Sequence, residues 1–281
     1  MMSQKSYNSD KATLYLIPTP IGNMEDITYR ALRVLSEVSV VFCEDTRVTK
    51  QLLKYYNIDK KLISCHKFTE NVKANKVIEY LNNGEDIGLV TDRGTPIISD
   101  PGYEIAKEVI NNGYNVVSLP GATAFVPALT MSGLNPQPFL FYGFLNNKSS
   151  KRKKELEILK DLEYTVIFYE APHRLFEMLN DLKNIFNNRR ICLCREISKK
   201  FEEIYRGTIE EVLFELEIPK GEFVVIVDGN KSKMNFDDLD IVEHVNIYIK
   251  DGYSVMDSIK KVANDRNLPK NAIYSEYHNK K

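Results

Sequence analysis

Short, β-rich apolar runs alternate with helical patterns over the first part of the chain, residues 12–119. Helical crossovers between parallel strands produce this alternation, so it predicts an α/β fold with a largely parallel sheet. The predicted strands are Thr13–Pro18, Val38–Cys43, Ile87–Thr91 and Val116–Leu119. The predicted helices are Tyr29–Leu35, Thr49–Tyr56, Asn71–Asn82 and Tyr103–Asn111.

The alternation resumes after a segment that is rich in turn-forming residues. Ser132–Pro138, which contains Gly133, Pro136 and Pro138, is typical of a linker. The following pattern predicts a second α/β unit. Its predicted strands are Phe139–Tyr142, Thr165–Tyr169, Arg190–Cys194 and Phe223–Val227, and its predicted helices are Lys151–Leu162, Leu175–Phe186 and Ile209–Leu216.

Beyond residues 229–232 the pattern becomes wholly helical, and Gly252 and Pro269 divide it into two or three helices. A domain has about 150 residues, so a chain of 281 accommodates two domains and a small third. The predicted domains are two α/β domains, residues 12–122 and 123–230, and a helical appendage, residues 236–281.

The composition bounds the class of protein and of partner. With 43% hydrophobic and 27% charged residues the chain can bury a sizeable core, which excludes a disordered protein. Lysine and arginine number 38, and aspartate and glutamate number 39, which leaves a net charge of -1. A polyanionic partner would therefore have to be bound by local basic patches.

Cysteine usage and apolar runs predict the compartment. Cys43, Cys65, Cys192 and Cys194 have neither the spacing of a zinc motif nor the density of a disulfide scaffold, so we interpret them as reduced core residues. No run approaches the ~18 apolar residues that span a membrane, and residues 1–11 lack the apolar core of a secretion signal. These features predict a soluble, cytoplasmic protein without a membrane partner.

Three turns that follow predicted strands combine glycine with proline: Thr19–Asn23, Asp92–Pro96 and Pro120–Ala124. In open α/β sheets ligands bind at the carboxyl ends of strands. Glycine lets the backbone approach a ligand closely, and proline holds the loop in one shape. The loops indicate a small cofactor held mainly by main-chain groups, or, in the simpler interpretation, tight turns between strands and helices.

Several common sites are missing from the sequence. There is no Gly-x-Gly-x-x-Gly, no Gly-x-x-x-x-Gly-Lys-Ser/Thr and no Gly-x-Ser-x-Gly. The four histidines are scattered rather than clustered with carboxylates, so no metal site is predicted. Dinucleotide cradles, P-loops and serine nucleophile elbows are therefore excluded as explanations of the glycine-rich turns.

Charged residues follow the strands of the second unit, at Glu170–Arg174 and Arg195–Glu203. Burying a charge at the end of a strand costs free energy unless the charge is paired or binds a ligand. These residues are therefore expected either to form a structural ion-pair network or to bind a substrate. The basic run Lys151–Lys154 suits either phosphate contacts or a solvated helix start.

Seven motifs occur in order along the chain: Thr19-Pro20-Ile21-Gly22-Asn23, Glu44-Asp45-Thr46-Arg47, Asp92-x-Gly94-Thr95-Pro96-x-x-Ser99-Asp100-Pro101-Gly102, Pro120-Gly121-Ala122, Tyr142-Gly143-Phe144, Tyr169-Glu170-Ala171-Pro172-His173-Arg174 and Arg195-Glu196. Together they resemble the motifs of the tetrapyrrole methylase superfamily, and within it those of the methyltransferases that act on small-subunit ribosomal RNA. The resemblance covers about residues 14–228. Each motif alone is weak, and the occurrence of all seven in this order is what makes the resemblance specific.

The resemblance implies two α/β domains with S-adenosylmethionine bound in the cleft between them, in a homodimer. It also implies 2'-O-methylation of a cytidine in the decoding region of 16S rRNA, within the small ribosomal subunit. The residues expected to bind the cofactor are Thr19, Pro20, Gly22, Asp92, Gly94, Thr95, Pro96, Ile97, Pro120, Gly121, Ala122 and Thr123. Those expected to bind RNA are Arg47, Lys151, Arg152, Lys153, Lys154, Arg174 and Arg195.

Methyl transfer to an alcohol benefits from a base that accepts its proton, and Glu170 and Lys199 are the candidates. Lys199 would need to be neutral, whereas Glu170 is basic when ionised but is close enough in sequence to pair with Arg174. One departure from the family pattern is Arg93, at a position where a small residue is usual. It leaves open whether this guanidinium faces solvent, pairs with Asp92 or Asp100, or contacts RNA.

Two other functions remain compatible with the sequence. Members of the superfamily also methylate carbon atoms of tetrapyrroles, although the charged motifs and basic runs favour RNA over an apolar macrocycle. The chain could instead be a non-catalytic RNA-binding or ribosome-binding module with a vestigial cofactor pocket. Saturable binding of S-adenosylmethionine would count against the second alternative.

Overall fold

The computed structural model describes residues 3–6, 11–66, 70–217, 220–230, 239–250 and 252–279. The chain divides into two compact units, residues 1–229 and 230–281. The first unit contains both predicted α/β domains, and the second contains the predicted helical appendage. The boundaries at residues 122/123 and 236 stay predictions.

The first sheet contains five parallel strands in the order β3-β2-β4-β1-β5, which confirms the prediction of a parallel sheet. Its strands are β1 Thr13–Leu16, β2 Val40–Cys43, β3 Lys61–Ser64, β4 Ile87–Val90 and β5 Asn115–Ser118. Its helices are α1 Tyr29–Glu37, α2 Thr46–Tyr55, α3 Glu70–Asn82 and α4 Tyr103–Asn111. Strand β3 was not predicted, because it is an edge strand that has no fully buried residue.

Helices cover both faces of this sheet, so the neighbouring central strands β2 and β4 are apolar and fully buried. Leu35 of α1 and Leu53 of α2 pack on one face. Val77 of α3 and Val109 of α4 pack on the other. Helix α2 therefore presents its remaining side, which is rich in lysine and arginine, to solvent.

The second sheet contains five strands in the order β6-β7-β10-β8-β9. Its strands are β6 Phe139–Phe144, β7 Thr165–Glu170, β8 Arg190–Arg195, β9 Glu203–Thr208 and β10 Phe223–Val227. Its helices are α5 Phe125–Met131, α6 Ser149–Leu159, α7 Leu175–Phe186 and α8 Ile209–Glu215. Ser132–Pro138, the predicted linker, contains neither helix nor strand.

Strand direction in this sheet is mixed, because the chain contains a strand that the sequence analysis missed. Strand β9 pairs antiparallel with β8 and reverses the chain before α8. As a result β10 runs antiparallel to both β7 and β8. Its first residue, Phe223, is aligned with Glu170 at the end of β7 and with Arg195 at the end of β8. The amino end of β10 thus joins the carboxyl ends of its neighbours at one edge.

The second unit is a three-helix cluster, α9 Ile241–Lys250, α10 Val255–Asp265 and α11 Lys270–Asn279. Its core contains Val245, Ile259, Val262, Ile273 and Tyr277. All four cysteines lie in the first unit, where they are buried and free. Among the residues that the structure describes, no helix has the length and apolar character to cross a membrane.

Candidate active site

The three glycine-rich and proline-rich loops of the first sheet meet at one place. Thr19 and Gly94 exchange two backbone hydrogen bonds, of 2.9 and 3.0 Å, which join the loop after β1 to the loop after β4. The Thr95 hydroxyl donates a 2.9 Å hydrogen bond to the carbonyl of Ala122 in the loop after β5. The sequence placed these loops at one sheet edge, and the structure shows that they form one assembly.

The loop after β4 contains backbone that only certain residues adopt easily. Gly94 has φ of +81°, in the left-handed region where glycine carries no steric penalty. Ile97 has φ of +80°, which is unfavourable for a β-branched side chain and costs about 1–3 kcal/mol. Such strain is concentrated at functional sites, where the surrounding structure holds it in place.

A cavity of about 310 Å³ lies where the edge of the first sheet faces the edge of the second, within the size range of small-molecule sites. Its residues come from the loops after β1, β4, β5, β7 and β8, from the carboxyl ends of β6 and β7, and from the start of β10 with the residue before it. They are Ile21, Arg93, Gly94, Thr95, Ile98, Ser99, Asp100, Thr123, Ala124, Phe144, Tyr169, Glu170, Ala171, Pro172, Ile197, Glu222, Phe223 and Val224.

Three of the twelve residues expected to bind a cofactor line this cavity: Gly94, Thr95 and Thr123. The other nine belong to the loops that support it, and Thr19, Pro20 and Pro96 are buried within them. The others are Gly22, Asp92, Ile97, Pro120, Gly121 and Ala122.

The cavity residues that sequence reasoning missed fall into two groups. Asp100 and Tyr169 lie inside motifs that carried the family resemblance, so a signal for them was present. Glu222, Phe223 and Val224 had no such signal. Ligand sites are expected at the carboxyl ends of strands, whereas these residues lie at the amino end of β10, which the antiparallel pairing brings to the site.

Carboxylates cluster beneath the loop after β4. Burial, reinforced by the charges of Glu44 and Asp92, raises the pKa of Asp100 to about 6. Burial also raises the pKa of Asp92, whose Oδ1 accepts a 3.0 Å hydrogen bond from the Asp45 N–H. Glu44 accepts a 3.0 Å hydrogen bond from the Thr91 hydroxyl. The negative charge of Asp100 is therefore available to a cationic ligand near neutral pH but is lost in mild acid.

Glu170 ends β7 with its side chain buried. Its carboxylate accepts hydrogen bonds from the Ala171 N–H at 2.8 Å and from Arg174 at 3.1 Å. Burial raises the pKa of Glu170, and these two partners oppose the rise. Arg174 also donates to the Leu145 carbonyl at 2.7 Å. The Arg174 guanidinium, expected to contact RNA, is thus engaged within the protein.

Lys199 belongs to an ion-pair network at the rim of the cavity. Its Nζ lies 2.8 Å from Oε1 of Glu196 and 2.8 Å from Oε2 of Glu222. Glu222 also pairs with Arg93, which resolves the question that Arg93 raised: the guanidinium binds a carboxylate of the second sheet rather than Asp92 or Asp100. Lys199 is therefore held by two carboxylates at the rim and does not itself line the cavity.

The structure corrects the interpretation of Arg152. Its side chain is fully buried, and its guanidinium pairs with Asp181 at 2.7 Å and with Glu177 at 3.3 Å. Helix α6 turns this one position of the basic run toward the core, so Arg152 is structural rather than a phosphate ligand. Lys151, Lys153 and Lys154 are exposed.

The remaining two basic candidates each have a partner. Arg47 is exposed and pairs with Asp45, and the hydrogen bonds from Arg47 lower the pKa of Asp45 to about 2. Arg195 pairs with Glu203 at 3.0 Å and donates to the Lys220 carbonyl at 2.7 Å. Within the described residues, no group of three or more histidine, cysteine and acidic side chains could hold a metal ion.

Comparison with known proteins defines the class. The model of the family described as tetrapyrrole (corrin/porphyrin) methylases matches residues 13–213, so the chain belongs to that family. Within the family it groups with proteins named ribosomal RNA small subunit methyltransferase I. It is 47% identical to the protein of that name from Bacillus subtilis, over 98% of each chain, and 39% identical to that from Streptococcus pyogenes, over 99% of each.

Solved structures support the fold. The uroporphyrin-III C-methyltransferase from Thermus thermophilus is similar with a TM-score of 0.55 and 20% identity, covering 77% of this chain and 94% of that one. A diphthine synthase has a TM-score of 0.59 at 13% identity, covering 77% and 90%. Another structure of the Thermus thermophilus enzyme, with a TM-score of 0.56, 18% identity and coverage of 76% and 97%, is a complex with S-adenosyl homocysteine.

Proposed function

We propose that this protein uses S-adenosylmethionine to methylate small-subunit ribosomal RNA, at the ribose 2'-oxygen of a cytidine in the decoding region of 16S rRNA. We infer that it acts in the cytoplasm, as a homodimer, on RNA within the small ribosomal subunit. The observation that carries the proposal is the cavity at the convergence of three glycine-rich loops, in a chain whose relatives of that name match it over nearly its full length.

The cavity suits S-adenosylmethionine in size and chemistry. Gly94 lines the cavity wall with a left-handed backbone conformation. A Cβ at this position would lie 3.3 Å from the Ile21 side chain and 3.6 Å from the Ala122 carbonyl oxygen. Ile21, Ile98 and Val224 provide apolar walls for an adenosine, and Asp100 provides a negative charge. When bound, the cofactor supplies a methyl group on a positively charged sulfur.

Positioning is the principal task of the protein in this reaction. Displacement at the methyl carbon requires the 2'-oxygen to approach in line, at about 3–3.5 Å, and such alignment contributes about 7–11 kcal/mol. Residues from both sheets surround the cavity, so one face of the site can hold the cofactor while the other holds the ribose. Tyr169 and Phe144 line the side formed by the second sheet. Their rings are in edge-to-face contact, with centroids 5.6 Å apart.

Of the two candidate bases, the geometry favours Glu170. Glu170 lines the cavity, whereas Lys199 does not, and each Glu170 oxygen accepts one hydrogen bond that fixes the carboxylate in place. A raised pKa makes its carboxylate a stronger base. Lys199 is ion-paired with two glutamates, so we assign it to positioning the loop that contains Ile197.

The test measures transfer of labelled methyl from S-adenosylmethionine to small ribosomal subunits purified from cells that lack this protein. We expect saturable incorporation into 16S rRNA, with mapping that identifies a ribose-methylated cytidine in the decoding region. Free 16S rRNA and a porphyrinoid serve as alternative acceptors. Incorporation into the porphyrinoid alone would contradict the proposal, as would failure to bind the cofactor, and light scattering tests the dimer.

A further inference from the structure

Helix α2 has an exposed basic side that the cavity does not use. Arg47, Lys50 and Lys54 are spaced three and four residues apart, so they lie on one side of the helix. With Lys60 they surround a groove of about 740 Å³. Ten residues line it: Thr46, Arg47, Lys50, Leu53, Lys54, Asn57, Ile58, Asp59, Lys60 and Leu62.

The charge of this groove is strongly positive although the net charge of the chain is -1. Four of the ten lining residues are cations, and Asp59 is the only acid among them. Arg47 has a carboxylate partner in Asp45. In the described part of the chain, Lys50, Lys54 and Lys60 make no ion pair, so their charges are available to a polyanion.

The groove begins beside the candidate active site. Asp45 is the N-cap of α2, and its N–H donates to Asp92, the residue before Arg93 and Gly94 of the cavity wall. From Arg47 to Lys54 the helix rises about 10 Å away from that loop. A strand that places one nucleotide in the cavity therefore finds successive cations along α2.

We propose that this groove, which we call the α2 groove, binds the phosphodiester backbone of the RNA that carries the target nucleotide. The inference rests on the proposed function and adds Lys50, Lys54 and Lys60 to the RNA-binding surface. A second copy of the chain is a poor occupant, because a two-fold interface would place the same cations against each other. Point charges spaced along an extended path suit a chain of phosphates.

The test is the salt dependence of RNA binding by the full chain, with small ribosomal subunits as the probe. The variants are Lys50→Ala, Lys54→Ala and the double variant. The matched control is Lys76→Ala, an exposed lysine of α3 on the opposite side of the first sheet. Each phosphate contact that is lost should reduce the magnitude of the slope of log affinity against log salt concentration by about 0.7–0.9. The double variant should bind about tenfold more weakly at about 0.1 M salt.

Further measurements distinguish this inference from the proposed function. Cofactor affinity measured without RNA should not change in the double variant, because neither lysine lines the cavity, and Lys50→Arg with Lys54→Arg should restore the slope. An unchanged slope in the double variant, or an equal loss in Lys76→Ala, would overturn the α2 groove while the proposed function stands. A slope that decreases in the double variant but not in Lys76→Ala, in a protein that transfers no methyl group, would support the groove and contradict the proposed function. Absence of RNA binding by the wild type would overturn both.

Discussion

The side chain of Lys199 lies directly over the α-carbon of Gly22, so closely that a Cβ at position 22 would be 2.2 Å from Cγ of Lys199. Gly22 belongs to the loop after β1 of the first sheet, and Lys199 to the connection between β8 and β9 of the second. A hydrogen bond between Ser198 and Asp26 joins the same two segments. Contacts between loops of the first and second sheets thus hold the rim of the cavity together.

Substituting Gly22→Ala should weaken cofactor binding. The new methyl group meets the root of the Lys199 side chain, which cannot swing away as a flexible end can, so the lysine has to leave Glu196 and Glu222. We expect a loss of about 1–3 kcal/mol in stability, as for other overpacked contacts, and a higher dissociation constant for S-adenosylmethionine. Calorimetric titration and thermal unfolding measure the two effects.

A double-mutant cycle checks that the cause is this contact. Lys199→Ala removes the side chain that Gly22→Ala would strike, so the second substitution should cost less in that background, with a coupling of about 0.5–3 kcal/mol. Additive losses would show that the two residues do not interact as the structure indicates.

Replacing Arg152 should destabilise the protein without specifically weakening RNA binding. Arg152→Ala leaves the Asp181 carboxylate, 8% exposed, without its closest cation, and breaking a buried pair costs about 3–5 kcal/mol. The exposed neighbour Lys154→Ala should change stability by less than about 0.5 kcal/mol. Chemical denaturation measures both, and equal losses would contradict the assignment of Arg152 to the core.

Cofactor affinity should decrease in mild acid. Asp100 has a pKa of about 6, so the carboxylate that faces the cavity is charged above that pH and neutral below it. A cation loses its attraction as the group protonates, and we expect about tenfold weaker binding at about pH 5 than at about pH 8. Titrating S-adenosylmethionine across this range gives the midpoint.

The matching variant for this prediction is Asp100→Asn. It should bind S-adenosylmethionine weakly at every pH and show a flatter pH profile, because the titrating carboxylate has been removed. A small pH dependence should remain, because the other acid groups around the cavity include Glu170, whose pKa is also raised. A profile that keeps its full amplitude in Asp100→Asn would assign the effect to Glu170 instead.

The two candidate bases should differ in kinetics. Glu170→Gln removes the proton acceptor but keeps hydrogen-bonding atoms, and we expect single-turnover methylation to slow by about 10²–10⁴-fold with cofactor affinity nearly unchanged. Lys199→Met should act mainly on cofactor binding, since it releases Glu196 and Glu222. A large rate loss in Lys199→Met with normal binding would reverse the two assignments.

The pair of Arg93 and Glu222 should contribute little to stability. Both side chains are more than half exposed, and exposed ion pairs contribute about 0.2–1 kcal/mol. Arg93→Ala should therefore leave the unfolding midpoint nearly unchanged. A shift comparable with that of Arg152→Ala would show that the pair holds the two sheets together.

The local pattern of apolar residues was sufficient to predict most of the strands and helices. Strand β10 occurs at the predicted residues, Phe223–Val227, because a short apolar run that is rich in β-branched residues favours a strand buried on both faces. Two strands were missed, β3 and β9. Both are edge strands with exposed polar residues, so neither has the apolar signal of a central strand.

The candidate site was predicted in part. The glycine-rich and proline-rich loops were identifiable because turn chemistry is local, and Glu170 with Arg174 because the pair is four residues apart. The partners of Arg93 and Arg152 are 129 and 29 residues away, at Glu222 and Asp181, and no local pattern specifies them.

The amino-acid sequence by itself determined the α/β alternation, the three special loops and the helical character of the last fifty residues, because backbone preference and apolar periodicity act over a few residues. Only the tertiary structure decided the direction of β10, the closure of the cavity by Glu222 and Phe223, and the burial of Arg152. These features depend on the pairing of residues that are distant in the chain. Such pairings are fixed by the packing free energy of the whole unit rather than by any segment of it.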